Sequence, residues 1–481
     1  MIDRPKAESL KGSLDKSALA RVAGRRVGVI GMARSGIAAA TLAHELGADV
    51  FVTDMGSQRS LGSAIDSLKK SGIECETGAH SDKLLHVDYV IVSPGVPSQS
   101  DILQQLHEAG TPVFSELEFA SWFTLGKIIG VTGANGKTTT VTMIHYILQA
   151  ANYTSRLCGN IGTPLSAVAP ELGRDDVAVV EVSSYQLEHV EQFAPDVAAI
   201  LNITPDHLSR HGSFEIYRAA KLRITEAQEK DGALALNIDD TGLDALSVHS
   251  AARRIVFGSE HTMNEAAVDA EMRGVFMRGE SLYCQFDGAL IKLLDCNQLQ
   301  VPGRHNVENA MAAATCALAF GIPLESIREG LLSFPGVEHR IEHVATINGV
   351  QWINDSKATN LAATICALEA LDSPALLILG GRGKGEDFKK LQDVLTGKVR
   401  NVVAIGETKE EIFASLGKTV AVELANSLEE ATQRSFETAR PGEVVLLSPG
   451  CASFDMFENF EERGTEFKNA VMRLENSGRG V

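Results

Sequence analysis

The sequence predicts an α/β chain of three domains built on mostly parallel sheets, and three observations carry that expectation. Short apolar runs alternate with helix-period segments from Arg26 onward, as parallel strands joined by crossover helices require. The 481 residues exceed what one hydrophobic core serves, at ~100–200 residues per domain. The strand-turn-helix pattern also restarts twice, beyond Ser115 and again after Phe334-Pro335-Gly336.

Residues 1–24 read as an N-terminal extension, because Lys6, Lys11, Lys16 and Arg21 interrupt every apolar stretch and leave no signal-peptide core. From Arg26, VGVIGMARSGIAAATLAHELGADVFVTD gives a strand, a glycine-punctuated turn, a helix and a second strand ending on Asp54. A strand from Tyr89 closes at Pro94-Gly95, and a helix follows over Asp101–Ala109, so a Rossmann-like first domain is expected over 25–115. The strand from Lys127 runs into a glycine-rich turn and a helix marked by Val141, Ile144, Ile147 and Leu148. Runs at Val177–Val182, Val197–Leu201, Ala233–Asn237 and Arg254–Phe257 extend that sheet, giving a central domain of the phosphate-loop ATPase type over 116–336. Ala375–Leu379, Val402–Ile405 and Val444–Leu447 predict a second Rossmann-like domain over 337–481.

Composition excludes several classes of partner. A net charge of -18 with no basic block repels nucleic acid and anionic membranes. The seven cysteines are scattered without a CxxC pair or metal-like spacing, as in a reducing cytoplasm. No apolar run approaches the ~18–20 residues that span a bilayer. A cytoplasmic monomer is the expectation.

The sharpest local signal is Thr132-Gly133-Ala134-Asn135-Gly136-Lys137-Thr138-Thr139-Thr140, between a strand and a helix. Glycines let backbone N–H groups turn onto phosphates, the helix N-terminus adds its dipole, Lys137 neutralises charge, and the Thr138 hydroxyl suits Mg²⁺. Val131 stands where the full GxxxxGK[ST] pattern has its first glycine. Glu181 ends one strand-like run and Asp206-His207 closes the next, which places a hard oxygen donor and a nitrogen donor beside the loop; the alternative is a turn residue and a helix cap. Gly31-x4-Gly36 with Asp54 suits a nucleotide diphosphate at a helix N-terminus, or helix-to-strand packing alone. Lys357, Lys384 and Arg340 stand in polar loops where they suit carboxylates or phosphates, against the simpler reading of solvated charge.

Together, TGANGKTTT, EVSSYQLE, NITPDHLSRHG, AAKLRI, PGRHNVENA, VEHRIE, NDSKATN, GGRGKGEDF and SPGCASFDMFENFEERG resemble the Mur ligases in order and spacing, across nearly the whole chain after Arg25. The Rossmann-like first domain and the SPGV and SPGCASFD motifs resemble the branch that adds D-glutamate. The resemblance implies an ATP- and Mg²⁺-dependent ligase joining D-glutamate to UDP-N-acetylmuramoyl-L-alanine through an acyl phosphate. It also implies roles. Gly133, Ala134, Asn135, Gly136, Lys137, Thr138 and Thr139 would hold the phosphates; Thr138 and Glu181 one Mg²⁺; His207 and a carbamylated Lys221 a second. Asn306 and Asn309 would face adenine, Asp355 the ribose and Arg340 the γ-phosphate. Arg34, Ser35 and Asp54 would face the UDP moiety, with Asn160, Ser183 and His207 toward the muramoyl end. Lys357, Thr359, Lys384, Ser453 and Phe460 would form the amino-acid site, the last through its backbone.

Other classes compete. A folylpolyglutamate-synthase-like ligase shares the phosphate loop but does not use the N-terminal βαβ unit. A nicotinamide-dependent oxidoreductase uses that unit and leaves the Lys137 loop unexplained. A non-catalytic nucleotide switch needs neither the carboxylates nor the lysines of the last domain.

Overall fold

A computed structural model describes residues 12–478 except 15, 287, 302, 384 and 386. Two compact units emerge: one runs through Gln300 and resumes over Arg304–Phe334, and the other joins Val301–Gly303 to the residues from Pro335 onward. The first unit carries two sheets, the second carries one.

The first sheet contains β1 (Arg26–Ile30), β2 (Asp49–Asp54), β3 (Glu74–Thr77), β4 (Tyr89–Val92) and β5 (Val113–Ser115), all parallel in the order β3-β2-β1-β4-β5. The order reverses between β1 and β4, which opens a crevice at their carboxyl ends. Helix Arg34–Glu45 lies so close to the first turn that a Cβ on Gly36 would sit 1.8 Å from the Gly31 carbonyl oxygen. Of the two readings offered for this glycine pair, close packing is therefore present.

The second sheet has nine strands: β6 (Lys127–Thr132), β7 (Ser155–Gly159), β8 (Val177–Glu181), β9 (Val197–Ile200), β10 (Ala233–Asn237), β11 (Arg253–Ser259), β12 (Arg273–Arg278), β13 (Ser281–Phe286) and β14 (Ala289–Asp295). Their order is β14-β13-β12-β11-β10-β9-β6-β8-β7, parallel from β7 to β12 and antiparallel through the last three. The third sheet, in the second unit, contains β15 (Glu342–Ile347), β16 (Val350–Asn354), β17 (Ala375–Gly380), β18 (Val399–Ile405), β19 (Ala421–Leu424) and β20 (Val444–Leu447), in the order β15-β16-β20-β17-β18-β19. Only the β15–β16 hairpin is antiparallel. Its two-residue turn, Asn348-Gly349, takes φ of 52° and 77°, the left-handed pair that lets a tight hairpin follow the strands' own twist.

Strands covered on both faces were legible as apolar runs: β8, β10 and β17 are buried at every position. Strands β3, β7 and β19 were not, because each lies at a sheet edge and carries half-exposed or polar side chains.

Candidate active site

The turn after β6 is shaped by its neighbours. Gly136 caps the helix Lys137–Ala150 at φ 85°, and a Cβ there would fall 2.2 Å from Asn309 Oδ1. The Ala134 N–H donates to the Asn202 carbonyl at 3.0 Å. The Asn135 N–H donates to Asn202 Oδ1 at 2.8 Å, and Asn202 Nδ2 donates back to the Asn135 carbonyl at 3.1 Å. Asn202 thus fixes the turn through three bonds. Its signal, the opening residue of NITPDH, was in the sequence but was not given a role.

Beside the turn, Glu181 ends β8, paired in register with Val131 of β6, and is 2% exposed. The Thr138 hydroxyl donates to Glu181 Oε2 at 2.8 Å, and Asn160 Nδ2 donates to Oε1 at 2.9 Å. Thr139 is buried one residue along. Lys137 Nζ donates to the Gly133 and Ala134 carbonyls at 2.9 Å each.

Lys221, on the helix Phe214–Leu222, reaches the same place from the other side. Its Nζ donates to the Gly133 carbonyl at 2.7 Å and lies 4.8 Å from the Tyr217 ring centroid. The residue is 2% exposed. Burial, reinforced by the Lys137 cation, lowers its pKa from the usual lysine range to about 7.

His207 does not close a strand, contrary to the sequence expectation: β9 ends at Ile200, and His207 stands in an exposed turn at φ 52° before the helical turn Leu208–His211. Its ring faces Tyr185 at 5.1 Å and Tyr217 at 6.5 Å, with Asp206 Oδ2 3.5 Å from Nε2. The nearby His211, not singled out from the sequence, is buried against Ser184 Oγ at 3.0 Å, and burial lowers its pKa.

A cavity of ≈ 710 Å³ opens at the β1/β4 crevice. Arg34, Ser35, Asp54 and His80 line it from the first sheet, and Asn160, Pro164 and Gln186 from the second. Asp54 lines the wall while its own oxygens accept the Met32 and Gly56 N–H groups, each at 2.7 Å, so it also rigidifies the turn. Ser183 caps the short helix Ser184–Leu187 in a reciprocal box with Gln186. Asn160 belongs to both places: it lines the cavity and holds Glu181.

Asn309 is turned to the loop, its Oδ1 3.4 Å from the Thr140 hydroxyl, and its Nδ2 lies 3.4 Å from Asn306 Oδ1. It is a buried side chain packed behind Gly136.

In the second unit, Asp355 is 5% exposed; Ser448 Oγ donates to it at 2.7 Å and the Ile341 N–H at 3.3 Å. Burial pushes its pKa up to about 7, opposed by the Ser448 hydrogen bond and the Arg340 charge. The Phe460 carbonyl accepts from Ser356 Oγ at 2.8 Å, and its ring lies 5.9 Å from Lys357 Nζ. Thr359 follows on the same loop, half-buried. The Arg382 N–H donates to the Ala452 carbonyl at 2.8 Å, which brings the buried Ser453 beside the Gly380–Gly385 loop. Lys384 lies outside the described residues. Arg463, which sequence reading passed over, is 1% exposed and ties Ser356 to the Cys451 carbonyl.

Family models match three stretches of this chain: a Mur ligase MurD-like N-terminal domain over 25–115, a Mur ligase middle domain over 131–317, and a Mur ligase glutamate ligase domain over 339–451. The chain is 43% identical over 470 residues to a UDP-N-acetylmuramoylalanine–D-glutamate ligase of Chlorobium phaeobacteroides, covering 94% of this chain and 99% of that one. It is 41% identical over 450 residues to the enzyme of that name from Acidobacterium capsulatum, covering 93% and 96%. Its fold resembles MurF from Acinetobacter baumannii at a TM-score of 0.58, with 18% identity over 95% of this chain and 99% of that one. It also resembles FolC of E. coli, at 0.53 and 18% identity over 74% and 90%. Among the described residues, no helix is long and apolar enough to cross a membrane.

Proposed function

The chain belongs to the Mur ligase family, and from that premise we propose that it joins D-glutamate to UDP-N-acetylmuramoyl-L-alanine, cleaving ATP to ADP and phosphate, in peptidoglycan precursor synthesis. One observation carries the reading: Asn160 lines the large cavity and, through Glu181, contacts Thr138 of the phosphate turn. A substrate in the cavity and a nucleotide on the turn thereby meet at one hydrogen-bonded chain.

In this reading the alanyl carboxylate attacks the γ-phosphoryl group and ADP leaves. The amine of D-glutamate then attacks the acyl phosphate, and the tetrahedral intermediate collapses to the amide and phosphate. No protein nucleophile is needed. The chain's work is to position the reactants and to set cations and N–H groups where charge develops. Lys137 and the N–H groups at the start of its helix take the phosphates, the Ala134 and Asn135 N–H groups being held by Asn202. Arg34, Ser35 and Asp54 take the UDP end, with Asn160, Ser183 and His207 toward the muramoyl group. Asn306 and Asn309 serve adenine. Lys384, Lys357, Thr359, Ser453 and the Phe460 backbone take D-glutamate.

The donors around Glu181 fit Mg²⁺: a hydroxyl and a carboxylate, both hard oxygen ligands, in contact at 2.8 Å. Thr138 and Glu181 would hold one ion, and His207 with carbamylated Lys221 a second. Bound Mg²⁺ neutralises charge on phosphate oxygens. Lys221 is suited to carbamylation because burial favours its neutral amine. The amine nitrogen bonds to the carbon of CO₂ and loses a proton, which replaces a cation with a carboxylate.

The test is ATP-dependent phosphate release with UDP-N-acetylmuramoyl-L-alanine, comparing D-glutamate, L-glutamate, D-alanine and meso-diaminopimelate. Release with D-glutamate alone is expected; release without the UDP substrate sinks the reading. The likeness to FolC keeps a folylpolyglutamate-type ligase as the second reading, against which stands the cavity wall built by the first sheet.

A further inference from the structure

We infer that the segment Lys16–Gly24, which precedes the first-domain match beginning at residue 25, is a strap that ties the first sheet to residues 183–193 of the central domain, with Arg21 as its positioning residue. The inference rests on the reading of the large cavity as the UDP-substrate site.

The segment is anchored on one side by burial. Val22 is fully buried in one core with Phe119 and Phe123, while Ala18 and Leu19 pack against it. Gly24 N–H closes the end on the Gly47 carbonyl at 2.9 Å.

On the other side, Arg21 reaches two segments at once. Its guanidinium lies 5.0 Å from the Trp122 ring centroid, and Nη2 donates to Gln192 Oε1 at 2.8 Å. Those partners are themselves joined by Glu118, which is fully buried. Trp122 Nε1 donates to Glu118 Oε1 at 2.8 Å, and the N–H groups of Glu191, Gln192 and Phe193 reach Glu118 oxygens at 2.8–3.1 Å. Arg21, Trp122, Glu118 and Gln192 thus close a ring that unites the N-terminal segment, the helix Glu116–Ser121 with its cap, and the loop after Gln186.

The short helix that leads into this loop, Ser184–Leu187, places Gln186 on the far wall of the cavity. The loop itself is tied to the first domain: the His189 carbonyl accepts the Ser115 N–H at 2.8 Å, and Glu188 accepts from Ser98. With Arg34 and Asp54 on one wall and Asn160 and Gln186 on the other, the joint sets how far apart the walls stand. A joint that raises the population of the correctly spaced state lowers the apparent Kd of a ligand spanning both walls. It leaves ATP, held by the phosphate turn, unaffected.

The experiment uses full-length Arg21→Ala and Arg21→Glu. The alanine variant loses a surface cation–π contact and a hydrogen bond, and its KM for UDP-N-acetylmuramoyl-L-alanine rises about threefold. The glutamate variant adds repulsion toward Glu118 and rises about tenfold. In both, KM for ATP stays within about twofold of the parent. An unchanged KM for the UDP substrate, or equal rises for both substrates, overturns the strap. Amide hydrogen exchange at Glu191–Phe193 gives a readout that needs no substrate: faster exchange in Arg21→Glu is expected, and unaltered protection overturns the proposal. Failure of the parent enzyme to use the UDP substrate would instead strike the cavity assignment, with the exchange result still deciding whether the strap exists.

Discussion

Lys221 and Lys137 donate to the same oxygen, the Gly133 carbonyl, at 2.7 and 2.9 Å. Two lysines on one carbonyl raise the free energy of keeping both charged, and the buried one yields. This is why the pKa of Lys221 falls to about 7, burial first and Lys137 second.

From this relationship, Lys221→Ala loses most activity while still binding ATP, and acetate restores part of it by filling the vacated space with the missing oxygens. Lys221→Arg is not rescued, since its fixed cation occupies that space. In the parent enzyme the neutral amine grows as pH rises through about 7, so activity gains CO₂ dependence on the acid side of that value. The measurement is an acetate titration at matched ionic strength; full activity of Lys221→Ala without acetate would falsify the carbamate role.

Lys137→Ala abolishes turnover, because charge developing on the γ-phosphoryl group loses its nearest cation, at a cost of several kcal/mol, about 2.7–4 by analogy with one lost oxyanion donor. Binding of the UDP substrate survives. Near-normal phosphate release by this variant removes the phosphate-turn assignment.

Gly136→Ala is expected to behave similarly for a steric reason. Its φ of 85° disfavours any Cβ, and the new methyl meets Asn309 Oδ1 at 2.2 Å. ATP binding, followed by calorimetry, should weaken by at least about tenfold. Unaltered ATP affinity means the turn adapts and does not cradle phosphate.

Lys384→Ala raises KM for D-glutamate far more than KM for ATP, since a dicarboxylate loses a cation. Ser453→Ala does so more mildly. If neither variant changes KM for D-glutamate, the amino-acid site lies elsewhere.

Asp355 gives a stability prediction. Its folded pKa, about 7, lies above the unfolded value of 3.8, so the folded state holds the extra proton between them and stability falls as pH rises across that window. A shift of that size corresponds to about 4 kcal/mol. Asp355→Asn should therefore match the parent in thermal unfolding near pH 4 and exceed it above pH 7. Equal midpoints at both ends contradict the buried-carboxylate account.

The local geometry around the TGANGKTTT turn was readable in advance because its residues sit where local rules apply. The TGANGKTTT turn announces itself by glycines between a strand and a helix, and the strand ending in Glu181 by an apolar run buried on both faces. Edge strands such as β3, β7 and β19 carry no such run, and Asn202, Arg463 and His211 carry no spacing rule at all. Their roles depend on partners far away in sequence: Asn202 on Asn135, Arg463 on Ser356.

The sequence by itself determined the α/β class, the glycine turn between strand and helix, and the family, because strand burial, glycine conformation and ordered motifs are written locally in the chain. Tertiary structure alone decided which atoms share an environment. It put Lys221 on the carbonyl that Lys137 uses, turned Asn309 toward the loop, set His207 on an exposed turn, and buried Asp355. The physical reason is that desolvation and hydrogen-bond partnership depend on what packs around a side chain, and that is fixed by the register and order of strands distant in the sequence.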